Sequence, residues 1–175
     1  MYFCHATGFA MRLFNPRFWG SFGLLALIAA APVGRVPLGI FSSWGAFRDA
    51  QPRHCYAIAM PENGRSGSWH SFVSVAIWPD RRINGQVYFR LREPRAPRSP
   101  IRLIFGDRSF PLVAGSIDAW APNPQADAAI VAAMRGGLSM RIAWVSSDGR
   151  DRSDGYLLKG AATAIDAAAL GCAGR

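Results

Sequence analysis

Trp69-His-Ser-Phe-Val-Ser-Val-Ala-Ile-Trp78 and, a few residues on, Gln86-Val-Tyr-Phe-Arg-Leu-Arg92 are the stretches on which the fold turns. In the first, Val73, Val75 and Ile77 fall on one side of an extended chain and Phe72, Ser74, Ala76 and Trp78 on the other, so both faces are mostly apolar. That pattern predicts a central strand. In the second, Val87, Phe89 and Leu91 oppose Tyr88, Arg90 and Arg92, which predicts one buried and one wet face. Asn84-Gly85 lies between them and favours positive φ, so a tight reversal is expected there.

Outward from this hairpin, short strand patterns recur between Gly, Pro, Asn and Asp punctuation: Trp44 to Phe47, Cys55 to Met60, Ile101 to Phe105, Ser109 to Val113, Leu138 to Val145 and Tyr156 to Leu158. Turns are expected at Pro61 to Gly64, Gly106-Asp107 and Ser147 to Gly149. Glu93 to Pro100 carries three prolines in eight residues and predicts an exposed, extended loop. Two helices stand out. Asn123-Pro124 offers an N-cap and a first-turn proline ahead of Ala128 to Arg135, with Gly136 as the stop. Ala161 to Leu170 is alanine-rich, and Ala161, Ile165, Ala168 and Cys172 share one face, pointing Cys172 at the core. The expected fold is mainly β: an antiparallel β-sandwich or barrel-like domain with two short α-helices.

With 175 residues, half of them hydrophobic, 12% aromatic and 18% charged, the chain can bury one core, which excludes a disordered chain. The formal charge is +9, and Lys159 is the only lysine among twenty basic residues. Met11-Arg-Leu-Phe-Asn-Pro-Arg17 precedes Ser21 to Val33, thirteen residues without a charge. A basic stretch followed by an apolar run shorter than the roughly 20 residues that span a bilayer is the pattern of a secretory signal. Met11 opens it cleanly, so residues 1–10, with Cys4 and His5, read as an upstream extension. Ala29 and Ala31 offer a cleavage-like Ala-x-Ala, but Pro32 is a poor residue after a cleaved bond. A retained N-terminal anchor and a cytosolic core helix are therefore the alternatives. The expected organisation is extension plus signal over 1–33, a linker over 34–43 and a single β-rich domain over 44–175, in the periplasm, secreted, or anchored at the membrane.

With Cys4 set aside, Cys55 and Cys172 remain, and in an oxidising compartment two cysteines pair. Kept reduced, they would be small buried apolar residues. A Cys55 nucleophile served by His54 or His70 is geometrically poor, because adjacent strand residues such as His54 and Cys55 point to opposite faces. His-x-x-x-His, Cys-x-x-Cys and Asp-x-Asp-x-Asp-Gly do not occur, and Gly64-Arg-Ser-Gly67 misses Gly-x-Ser-x-Gly. No catalytic residue, metal or cofactor is expected. Residues 81–108 hold eight arginines against Glu93 and Asp107. Within them Arg90, Arg92, Arg95 and Arg98 are the expected anion-binding set, suited to anionic lipid, lipopolysaccharide or an acidic partner. The competing reading is a solvated face. Nucleic acid fits the charge but neither the compartment nor any binding motif. Trp44, Trp69, Trp78, Trp120 and Trp144 are read as core fillers rather than a ligand platform.

Tyr156-Leu-Leu-Lys-Gly160-Ala-Ala-Thr-Ala-Ile-Asp-Ala-Ala-Ala-Leu-Gly-Cys172 is a strand ending in Lys-Gly that runs into an alanine-rich helix closed by cysteine. It resembles the end of the invasion associated locus B family. The early strand with Cys55, the Phe110-Pro-Leu112 strand and the helix Ala128 to Gly136 agree in order, so the similarity spans residues 44 to 172. Ala161 departs from the family's aromatic after Lys-Gly. The resemblance implies an exported, mainly β domain without established enzymatic activity. The expected function is an exported non-enzymatic envelope protein, a binding or structural module; the alternative is an envelope hydrolase or inhibitor.

Overall fold

The computed structural model describes residues 34–63 and 70–173. The expected signal and extension, Cys4, His5, Trp69 and the Gly64-Arg-Ser-Gly67 segment lie outside the described residues. Among the described residues, eleven strands form two antiparallel sheets. The larger contains β1 (Val36–Phe41), β2 (Trp44–Asp49), β3 (His54–Ala59), β4 (Phe72–Trp78), β5 (Ile83–Arg90), β8 (Val113–Ala114) and β9 (Asp118–Trp120), in the order β1-β2-β3-β4-β5-β9-β8. The smaller has β6 (Ile101–Phe105), β7 (Arg108–Pro111), β10 (Ser139–Val145) and β11 (Asp151–Leu157), in the order β11-β10-β6-β7. The result is sandwich-like and not a closed barrel. Helices α1 (Pro124–Gly136) and α2 (Ala161–Ala173) complete it.

The alternation places β4 as expected, in the interior of the larger sheet between β3 and β5. Val73, Val75, Val87 and Phe89 are fully buried and face Leu103, Ile142 and Tyr156 of the smaller sheet's layer in one core. Across the sandwich, β11 is an edge strand whose backbone is taken up by the other sheet's neighbourhood. Glu62 N donates to Gly155 O at 2.9 Å, and Trp44 Nε1 to Leu157 O at 2.9 Å. Trp44, itself fully buried, thus serves as both core filler and edge cover.

Three expectations need correction. The reversal between β4 and β5 is made by a 3₁₀ turn, Pro79–Arg81, closed by Arg82 at φ 55°. Asn84 and Gly85 instead sit within β5, where the pairing shifts from Ala76↔Gln86 to Ile77↔Asn84 and Gly85, at φ 90°, is the bulged residue. The segment over 34–43 is not a linker, since most of it forms edge strand β1, paired with β2. The proline-rich segment is not simply exposed. Ala96 N donates to Val145 O and Ser147 N to Pro94 O, so the loop closes over the end of β10.

Helix α1 begins as expected, with Asn123 Oδ1 accepting from Ala126 N at 2.8 Å. Asp127 in its first turn accepts from Val87 N at 2.7 Å, which fastens the helix to β5. Helix α2 runs slightly past its expected end and buries Ala161, Ile165, Ala168 and Cys172, the face the spacing predicted.

Candidate functional site

Strand registers determine what the outer face of the larger sheet carries. Ile58, Ser74, Tyr88 and Trp120 lie in one row across β3, β4, β5 and β9; Phe47, Tyr56, Ala76 and Gln86 lie in the next, across β2 to β5. Within these two rows the large rings stand on β2, β3, β5 and β9, while β4 contributes Ser74 and Ala76 and carries its own rings, Phe72 and Trp78, at the two ends of the strand. The difference in side-chain size leaves a depression of ≈ 510 Å³. His54 stacks on Trp78 with centroids 4.2 Å apart and planes 6° from parallel, and on Tyr56 at 5.1 Å. Opposite, Tyr88 packs between Phe72 at 5.6 Å and Trp120 at 5.8 Å. Phe72, Trp78, Tyr88 and Trp120 are only half-buried, though they belong to a folded sheet.

Each aromatic wall ends in an Arg–Asp pair. Arg35 Nε lies 3.3 Å from Asp49 Oδ1, with His54 Nε2 3.8 Å from the other oxygen. Arg90 lies 3.7 Å from Asp118, which also accepts a short hydrogen bond from the Tyr88 hydroxyl. Burial pushes the Tyr56 and Tyr88 phenols above their ordinary range, so both remain protonated donors. Arg35 is held further toward its charged form by its hydrogen bond to Asp49. His54 Nδ1 lies 2.8 Å from Pro52 O, which makes Nδ1 the protonated nitrogen in the neutral ring. Trp78 Nε1 donates to Gln86 Oε1 at 3.2 Å, fixing both side chains at the rim.

The expected site residues are distributed differently. Cys55 and Cys172 are joined, with S–S 2.08 Å and Cα–Cα 5.8 Å, which ties β3 to the end of α2. The four arginines are not gathered on one face. Arg90 pairs with Asp118 beside Tyr88, and Arg92 turns inward to Asp154 at 3.3 Å and lies over the Trp144 ring. Arg95 donates to the backbone carbonyls of Gly115, Ala114 and Ser99, and only Arg98 stands exposed on the loop. Arg92 and Arg95 are therefore internal fasteners. The tryptophans divide as well: Trp44 and Trp144 fill the core, whereas Trp78 and Trp120 are on the outer face, so reading all of them as core fillers is corrected for those two. Among the described residues no group of three His, Cys, Asp or Glu side chains is placed to hold a metal ion.

The aromatic face was partly legible. Phe72, Ser74, Ala76 and Trp78 are the second register of the central strand, and its apolar character reads as burial in a sandwich. What the sequence does not show is that the smaller sheet and both helices pack on the other side.

No family model and no curated protein matches this chain. Among solved structures, the chain is similar to invasion associated protein B from Bartonella henselae, with a TM-score of 0.58 and 18% identity over 76% of this chain and 96% of that one. The fold is therefore that of invasion associated protein B, in a sequence far diverged from it.

Proposed function

We propose that this chain is an exported, non-enzymatic binding module of the cell envelope, and that its ligand lies on the outer face of the larger sheet. The observation that carries the reading is the set of half-buried rings around a ≈ 510 Å³ depression. A sheet face with no binding role is ordinarily polar, and concave aromatic surfaces with a few fixed polar groups are the usual form of a ligand site. Export is supported by the basic and apolar pattern from Met11 to Val33 and by the Cys55–Cys172 pair, a kind of link that is common in oxidising compartments and rare in reducing ones. The likeness to a protein described as invasion associated is one of fold, and no role in invasion is taken from it.

The test is co-sedimentation of the exported protein with an envelope fraction, compared with a Trp78→Ala/Trp120→Ala variant whose fold is verified by circular dichroism. Central aromatic anchors account for much of a binding free energy, so the variant should bind about tenfold more weakly or worse. Equal binding by both proteins removes this face from the function.

A further inference from the structure

We infer that the aromatic face binds a neutral saccharide; the inference rests on the reading of that face as the binding surface and names the chemistry of its ligand. Three features of the depression select the class. The first is the floor. Ser74 lines the depression, and its hydroxyl, which solvent reaches, has no hydrogen-bond partner within the protein among the described residues. Water satisfies it in the free protein, so a hydroxyl of an entering ligand can take that place without leaving a buried group unpaired. Gln86 gives its carbonyl oxygen to Trp78 and keeps its amide N–H groups available.

The second is the spacing of the walls. Tyr56 on β3 and Tyr88 on β5 are separated by β4, two inter-strand spacings or about 10 Å between backbones. Ser74 and Ala76 keep that gap open. A sugar ring presents C–H groups on its faces and hydroxyls around its edge, so it can lie against the half-buried Trp120 ring while its edge is turned toward Ser74 and Gln86.

The third is charge. The guanidinium groups at both ends are paired to carboxylates, Arg35 to Asp49 and Arg90 to Asp118. An anionic ligand would find each positive group already engaged. A cationic ligand would find ring faces already covered, because Arg81 lies 4.9 Å over Trp78 and Arg35 5.5 Å over Tyr56. A purely apolar ligand would cover the Ser74 hydroxyl and the Gln86 amide N–H groups and leave them without partners. A neutral polyol supplies both donors and acceptors and leaves the Arg–Asp pairs intact.

The experiment screens the exported protein on an array of neutral hexose, heptose and N-acetylhexosamine oligosaccharides, then titrates any hit by tryptophan fluorescence. Saturable binding is expected that changes little between 50 and 500 mM salt, as an uncharged ligand requires, at roughly the ionic strengths where exposed charges become screened. Trp120→Ala should weaken it about tenfold or more. Ser74→Ala, which fits the same space, should weaken it about fivefold, the worth of one ordinary hydrogen bond. The inference is overturned if no neutral glycan binds, if binding falls steeply with salt, or if Ser74→Ala binds as tightly as the parent. Should the array be blank while envelope binding still depends on Trp78 and Trp120, the ligand belongs to another class and the binding face stands. Should envelope binding also ignore those two residues, both readings fall.

Discussion

Gly160 lies directly against Phe41: a Cβ built at residue 160 would stand 1.9 Å from the Phe41 carbonyl oxygen. Its φ is +91°, a conformation that side chains rarely adopt. The chain turns here from β11 into α2 while passing over the end of β1, so two separate requirements, backbone conformation and absence of a side chain, fall on the same residue.

Gly160→Ala should therefore cost about 3 kcal/mol or more in unfolding free energy, because the atom it meets is backbone and cannot rotate away. Gly149→Ala is the control. Gly149 also has positive φ, at 80°, but nothing lies within 4 Å of its would-be Cβ, so only the conformational cost of about 1 to 3 kcal/mol applies. Urea denaturation of both variants decides the matter, and equal losses would show that Phe41 does not constrain residue 160.

The cysteine pair closes a loop with a sequence separation of 117. In the chain-entropy account, that restriction of the unfolded state contributes roughly 4 to 5 kcal/mol. Replacing both by Ala should lower stability by an amount of that order, and reduction of the parent should do the same. A loss under about 1 kcal/mol in both measurements would mean that the α2 contacts hold β3 without the covalent link.

How far the sequence anticipated this arrangement depends on the range of the interaction. The β4 alternation, the Asn123 cap and the buried face of α2 were legible because strand and helix periods are local properties of neighbouring residues. Strand β9 was not, since three residues carry too short a pattern and Asp118 and Trp120 are placed by pairing with Arg90 and Tyr88. Asn84-Gly85 misled for a related reason: positive φ serves a bulge as well as a turn, and only the pairing of β5 with β4 distinguishes the two. The arginine cluster was visible as charge, but its inward-turned members were not, because Asp154 and the carbonyls that engage Arg92 and Arg95 lie far along the chain or belong to the backbone.

Arg95→Ala should behave as a core substitution rather than a surface one. Its guanidinium bonds to Gly115 O at 3.2 Å, to Ala114 O at 3.3 Å and to Ser99 O, fastening the proline-rich loop to β8. Truncation withdraws the donor from several carbonyls, and a loss of about 2 to 3 kcal/mol is expected. Arg98→Ala, on the exposed part of the same loop, should change stability by no more than about 0.5 kcal/mol. Chemical denaturation of the two variants compares them directly, and similar values would mean that the Arg95 bonds are exchanged for water at no cost.

Asp154 gives the fold a pH dependence of unusual sign. It is fully buried on β11, with Arg92 Nε 3.3 Å from one oxygen, and neither carboxylate oxygen accepts a hydrogen bond among the described residues. Burial pushes this carboxyl above the usual range, against the pull of Arg92 and the smaller pulls of the nearby Ser71 and Asn63 side chains, and with a small push from Glu93. The folded protein therefore holds this proton more tightly than the unfolded chain does. Where the folded state binds more protons, stability falls as pH rises, here from the ordinary carboxylate value through the raised folded one. Most paired carboxylates act in the opposite sense, as exposed Asp166 does beside Arg135. Asp154→Asn should remove the falling contribution, so its stability relative to the parent should improve as pH rises across that window. Arg92→Ala should do the reverse. Without its partner the buried charge is uncompensated, and the variant should lose about 3 to 5 kcal/mol at neutral pH yet recover much of that in acid, where Asp154 is protonated. Unfolding free energies at a series of pH values test both, and an Arg92→Ala deficit that is the same in acid as at neutrality would show that the guanidinium acts through its packing on Trp144 and not through the carboxylate.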